Sequence, residues 1–111
     1  MAAHAIRFLL ILGFVAMTAG AACAQSRAAE RRGEAILSQK CAMCHAIGRS
    51  GRSPHAVAPA FRTLSRRYPL EALEEALGEG LTTGHPDMPE FVFQPHEIGA
   101  IIAYLRSIQE R

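Results

Sequence analysis

Cys41-Ala42-Met43-Cys44-His45 places two thiols and an imidazole within five consecutive residues, a C-x-x-C-H pattern. Thiols three positions apart lie about one helical turn apart on a common face. A pair so close in sequence ties no distant segments together, so it forms no disulfide framework. A structural zinc site would need a second ligand pair, and Cys23 is the one further cysteine in the chain. A thioredoxin-like C-x-x-C expects a βαβ setting, whereas no stretch of this chain alternates polar and apolar residues as a strand does. The chemistry that uses all three side chains is haem attachment. The two thiols add across the vinyl groups of a haem, and the next residue, His45, falls beneath the iron as its proximal ligand.

The remainder of the chain suits a domain held together by such a group. Its 111 residues amount to one small domain, and a domain of this size has a thin core that a cofactor supplements. Half of the residues are hydrophobic and 20% are charged, so composition excludes a disordered chain. The formal net charge of +2 gives no case for a nucleic-acid binder.

The N-terminus reads as a secretory signal. Arg7 precedes the uncharged run Phe8–Met17, and small residues then lead to Ala22-Cys23-Ala24. The small-x-small pattern predicts cleavage after Ala24, which divides the chain into a signal peptide over residues 1–24 and a haem domain over residues 25–111. The competing readings are a retained membrane anchor and a lipidated Cys23. The latter lacks the large aliphatic residue expected ahead of it.

Within the domain, residues 25–29 read as a frayed leader, and helical periodicity begins near Glu30. Gly33, Ile36, Leu37 and Lys40 repeat at i, i+3, i+4 and i+7. Gly33 inside a helix costs about 1 kcal/mol relative to Ala, which predicts a place where another helix comes close. Residues 46–68 are irregular, and so long a loop in a small domain predicts that it wraps a ligand. Pro69 suits a first helical residue. Leu70, Leu73 and Leu77 then form an apolar stripe with Glu71, Glu74, Glu75 and Glu79 towards solvent, and Gly78 and Gly80 end the helix. Residues 81–93 read as a second loop. Pro95 opens the last helix, whose Ile98, Ile101, Ile102, Leu105 and Ile108 make the strongest stripe in the chain. The predicted fold is all-α, with three helices and two long loops around one haem.

The sixth iron ligand decides the function: an open site binds small molecules, and a closed one passes electrons. The domain offers Met43, His55, His85, Met88 and His96. Met43 lies inside the attachment motif and cannot reach the opposite face. Met88 sits between Pro86 and Pro89, whose fixed φ angles shape the loop without a large core behind it. Its soft thioether suits haem iron and raises the reduction potential. His85, three residues away, is the rival through bis-histidine ligation. His55 and His96 read as surface residues. Arg49, Arg52, Arg62, Arg66 and Arg67 lie in or beside the first loop, and one or two of them are expected to pair with the haem propionates.

The order Cys41-Ala42-Met43-Cys44-His45, Ala58-Pro59-Ala60-Phe61, Gly84 to Phe91 with Met88, and Ala103-Tyr104-Leu105-Arg106 resembles that of small class I c-type cytochromes of the bacterial periplasm. The resemblance spans about Glu30 to Ile108. It implies that the terminal helices cross near Gly33 and Tyr104, that a proline after the motif offers its carbonyl to the His45 N–H, with Pro59 the matching candidate and Pro54 also in the loop, and that Met88 is the distal ligand. One departure is Leu37, where many members carry an aromatic residue.

The expected function is that of a periplasmic electron carrier with one covalent haem c, its iron held by His45 and Met88. It would not be an enzyme. Its partners would be a redox-protein donor and acceptor, with no nucleic acid and only transient membrane contact through a membrane-bound partner. It would act as a monomer or as a subunit of an oxidoreductase complex. The alternatives are a haem-bearing small subunit of a larger oxidoreductase and a gas- or peroxide-binding haem protein with a displaceable distal ligand.

Overall fold

The computed structural model describes residues 2–81 and 85–110, with side chains from Gly20 onward. The side chains of Arg7 and of the apolar run Phe8–Met17 lie outside this description, as does Gly84 of the methionine loop. The described residues form three α-helices and no strand: α1 (Ala2–Lys40), α2 (Leu70–Glu79) and α3 (Pro95–Ile108). A short 3-10 helix, Phe61–Arg66, precedes α2. The all-α expectation therefore holds.

Helix α1 is longer than its periodicity implies. Residues 25–29, expected as a frayed leader, are helical and continuous with the rest. Between Gly20 and Gly33 no glycine or proline interrupts a run rich in alanine, the best helix former. Ser26 Oγ also donates to Glu30 Oε1 one turn on, at 3.3 Å. Among the described residues no helix is long and apolar enough to cross a membrane.

Helices α1 and α3 cross where Gly33 meets Ala100 and Tyr104. A Cβ on Gly33 would collide with the Ala100 carbonyl oxygen and stand 2.6 Å from its carbonyl carbon and 2.9 Å from Tyr104 Cβ. The absence of a side chain is what lets the two backbones touch. Leu37, one turn further along α1, packs into the same core as Ile98, Ile101, Ile102, Leu105 and Ile108 of α3 and Leu70, Leu73 and Leu77 of α2.

Pro95 does open α3. Gln94 and Glu97 complete a reciprocal cap, the Gln94 backbone N–H donating to Glu97 Oε2 at 2.9 Å. Pro69 is the N-cap of α2, one residue ahead of the first helical position expected for it. Gly80 closes α2 at φ 104°, a left-handed value that glycine adopts freely.

The first loop is less irregular than its sequence suggests. Its 3-10 segment buries Phe61 and Leu64 at the i, i+3 spacing of that helix, too short a pattern for a 3.6-residue period to register. The C-terminus latches this segment down. Glu110 N donates to Arg62 O at 2.9 Å, and Gln109 Nε2 donates to Phe61 O at 2.8 Å. Arg62 Nε and Arg66 Nη2 reach the Glu110 carboxylate at 2.8 and 3.0 Å.

Candidate functional site

The end of α1 sets the geometry of the motif. Cys41 N–H still bonds to Leu37 O at 2.8 Å, and His45 N–H bonds to Cys41 O at 2.9 Å, so the helical path continues through Cys44. Cys41 and Cys44 are unpaired thiols, both half-buried. Burial pushes the Cys41 thiol up to about 11, with Lys40 offsetting part of the effect and Cys44 adding to it. At neutral pH it is protonated, which disfavours roles that begin from a free thiolate, such as nucleophilic catalysis.

The loop that follows folds back under the imidazole. His55 N–H bonds to Cys44 O at 3.1 Å, Phe61 N–H to Ala46 O at 2.9 Å, and Ala46 N–H to Ser53 Oγ at 3.0 Å. These bonds bring Pro59 O within 2.9 Å of His45 Nδ1. With Nδ1–H as donor, Nε2 is the nitrogen left with a lone pair, the tautomer an imidazole needs to bind a metal. Phe61 packs against the ring at a centroid distance of 4.6 Å. Tyr104 reaches the same loop, its hydroxyl donating to Ile47 O at 3.2 Å.

Cys41, Cys44, His45 and Met88 all line one cavity of about 730 Å³, within the roughly 300–1,000 Å³ range of cofactor-sized sites. Its walls are mainly apolar, with Leu73, Leu77, Phe91, Phe93 and Ile101 among them. Met88 is half-buried there, and its N–H bonds to His85 O at 3.1 Å in the turn between the two prolines. Met43 is 86% exposed, as suits a residue that does not turn inward.

The histidines divide differently from expectation. His96 is exposed, as anticipated, but His55 is not simply a surface residue. It is half-buried, lines the cavity beside His85, and lies 3.4 Å from Asp87 Oδ2. The His55 N–H bond to Cys44 O carries it inward, and nothing in its local sequence signals that return. Arg62 and Arg66 are engaged by Glu110, and Arg49 and Arg52 are exposed; among the five arginines, Arg67 is the one on the cavity wall. The aromatic wall of Phe61, Phe91 and Phe93 also went unassigned in the sequence, because isolated loop aromatics carry no periodic signal.

The donor set fits a covalently held haem. Two unpaired thiols one turn apart, an imidazole in the correct tautomer, a thioether and apolar walls surround a single space.

Comparison with known proteins agrees. Residues 28–105 match the family described as cytochrome c oxidase, cbb3-type, subunit III. Cytochrome c-552 of Bradyrhizobium diazoefficiens is 31% identical over 77 residues, covering 69% of this chain and 72% of that protein. No solved structure matches significantly. Fold, cavity and sequence similarity converge, and the chain belongs to the c-type cytochromes, in the cbb3-type subunit III family, whose cofactor is haem c.

Proposed function

We propose that this chain is an exported single-electron carrier in which Cys41 and Cys44 hold the haem, His45 is the proximal ligand and Met88 the distal one. The observation that carries the reading is the convergence of these four side chains on one apolar cavity, with His45 oriented by the Pro59 carbonyl. Bound haem c supplies a one-electron couple between ferric and ferrous iron. The protein's part is to hold and shield. The Pro59 bond keeps the His45 ring from rotating and leaves Nε2 facing the iron as its ligand atom. Pro86 and Pro89 hold the Met88 loop in one shape. The aromatic and leucine walls exclude water, so little rearranges when charge changes. Arg67, the one of the five arginines on the cavity wall, is the arginine assigned to the haem carboxylates.

Export to the periplasm, with processing after Ala24 to leave residues 25–111, completes the reading. Its support is the charged, apolar and small-residue order of the N-terminus and the membership of a family whose haem is covalent.

A second reading is favoured by the family description, which names an oxidase subunit. Here the domain passes electrons as a fixed component of a larger oxidoreductase. Purification separates the two: a carrier is isolated alone, a subunit with a partner at fixed stoichiometry.

The ligand assignment is tested by the absorption spectrum of the ferric protein and of Met88→Ala. The weak far-red sulfur-to-iron band is expected in the parent and absent in the variant. Matching spectra would remove Met88 from the iron. Rapid carbon monoxide binding by the reduced parent would favour a small-molecule-binding haem protein instead.

A further inference from the structure

His55, His85 and Asp87 offer one ligand atom each, and these three atoms lie within 4.8 Å of one another. They come from two segments. His55 belongs to the loop that returns from Cys44, whereas His85 and Asp87 flank Pro86 in the loop that carries Met88. We propose that they form a second metal site, for a borderline divalent cation of the zinc type, which bridges these two loops at the rim of the haem cavity. The proposal rests on the assignment of Met88, and not His85, to the iron.

The geometry supports a cation better than it supports an ion pair. His55 Nε2 and Asp87 Oδ2 are 3.4 Å apart, beyond the usual N–H···O range of about 2.7–3.2 Å. Two ligands of a tetrahedral zinc, with bonds of about 2.0–2.2 Å, stand roughly 3.4 Å apart. The His55 and His85 rings meet edge-on at 89°, with centroids 5.4 Å apart, so the planes do not stack. Asp87 N–H donates to His85 Nδ1 at 3.3 Å, a contact that helps orient the second ring. Two imidazoles and one carboxylate form a donor set suited to zinc, copper or nickel. Three protein ligands leave a coordination position for water. The His55 and Asp87 side chains are 33% and 68% exposed, so a cation can enter from solvent while the haem occupies the space behind them.

Such a cation would have two effects. It would tie the proximal loop to the distal one, and its positive charge beside the haem would favour the ferrous state and move the reduction potential upward.

The test uses chelator-washed ferric holoprotein titrated with zinc chloride by calorimetry, beside His55→Gln, His85→Ala and Asp87→Asn. One zinc per chain is expected, weakened at least about tenfold in each variant. Zinc should raise the haem potential in the parent and leave that of His55→Gln unmoved. His55→Gln lies outside the methionine loop and stays informative if the loop variants misfold. Absence of saturable binding to the parent, or binding that His55→Gln and Asp87→Asn leave unchanged, would overturn the site. The far-red band in the same samples reports Met88 separately. Failed zinc binding with the band intact condemns the cation site alone, whereas a parent lacking the band condemns the ligand assignment.

Discussion

Replacing Gly33 with alanine sets two opposing effects against each other, and the structure fixes which prevails. In an open helix the change would stabilise by about 1 kcal/mol. Here the new methyl group would meet the Ala100 backbone carbonyl, with its carbon at 2.6 Å and Tyr104 Cβ at 2.9 Å. Neither neighbour is the movable end of a flexible side chain, so relief requires α1 and α3 to separate along their crossing. That separation loosens Leu37, Ile101 and Leu105, which are almost fully buried there. Overpacking of this kind costs about 1–3 kcal/mol, which leaves a net loss of up to about 2 kcal/mol after the propensity gain. For a domain of this size that lowers the melting temperature by roughly 4–8 °C per kcal/mol. Gly99→Ala is the matched control, since a Cβ there meets nothing within 4 Å, and it should stabilise by about 0.5–1 kcal/mol. Guanidinium unfolding of both holoproteins, followed by far-UV circular dichroism, gives the two signs directly. A Gly33→Ala protein more stable than the parent, by as much as Gly99→Ala is, would refute the backbone contact as the reason for the glycine.

Other substitutions probe other links. Tyr104→Phe deletes the hydroxyl that donates to Ile47 O and should cost about 1 kcal/mol at neutral pH by the same unfolding assay. Burial pushes the Tyr104 hydroxyl above the ordinary tyrosine range, with Glu34 adding to the effect. Its folded-state value is therefore the higher one, and its contribution is complete below the unfolded value of about 10 and lost as pH rises beyond it. Stability measured across that alkaline window should fall more steeply in the parent than in Tyr104→Phe. Glu110→Gln weakens the grip on Arg62 and Arg66 and should lower the unfolding free energy by up to about 1 kcal/mol. Replacing both Cys41 and Cys44 by alanine should leave a chain that circular dichroism shows to be largely unfolded; a cooperative haem-free domain would contradict the cofactor's role as staple.

The parts of the fold legible in the sequence are those with a repeating signal. The stripe of α3 and the leucines of α2 announce their own buried faces, and Gly33, a costly residue inside a helix, hints at the crossing that the structure shows. The motif Cys41 to His45 was legible for a different reason, since its chemistry is encoded in spacing alone. Where the sequence failed, the information lay in tertiary contacts. The 3-10 helix Phe61–Arg66 is held by Gln109 and Glu110, residues more than forty positions away. His55 enters the cavity because Cys44 O receives its N–H, and Arg62 and Arg66 turn to Glu110, pairings that local patterns do not encode. The continuity of α1 through residues 25–29 was missed because a short alanine-rich run bears no amphipathic stripe, although its propensity favours a helix.

The crossing at Gly33 also governs when the domain can mature. It joins the first and last helices, so Leu37 has no partners on α3 until the far end of the chain has been made. The contacts that complete the core span nearly the whole domain, and closing so large a loop carries an entropic cost before any burial offsets it. A nascent chain therefore displays its two thiols on an open helix end while the opposite wall of the cavity is still unsynthesised, and assembly runs from an exposed attachment turn to a closed compartment.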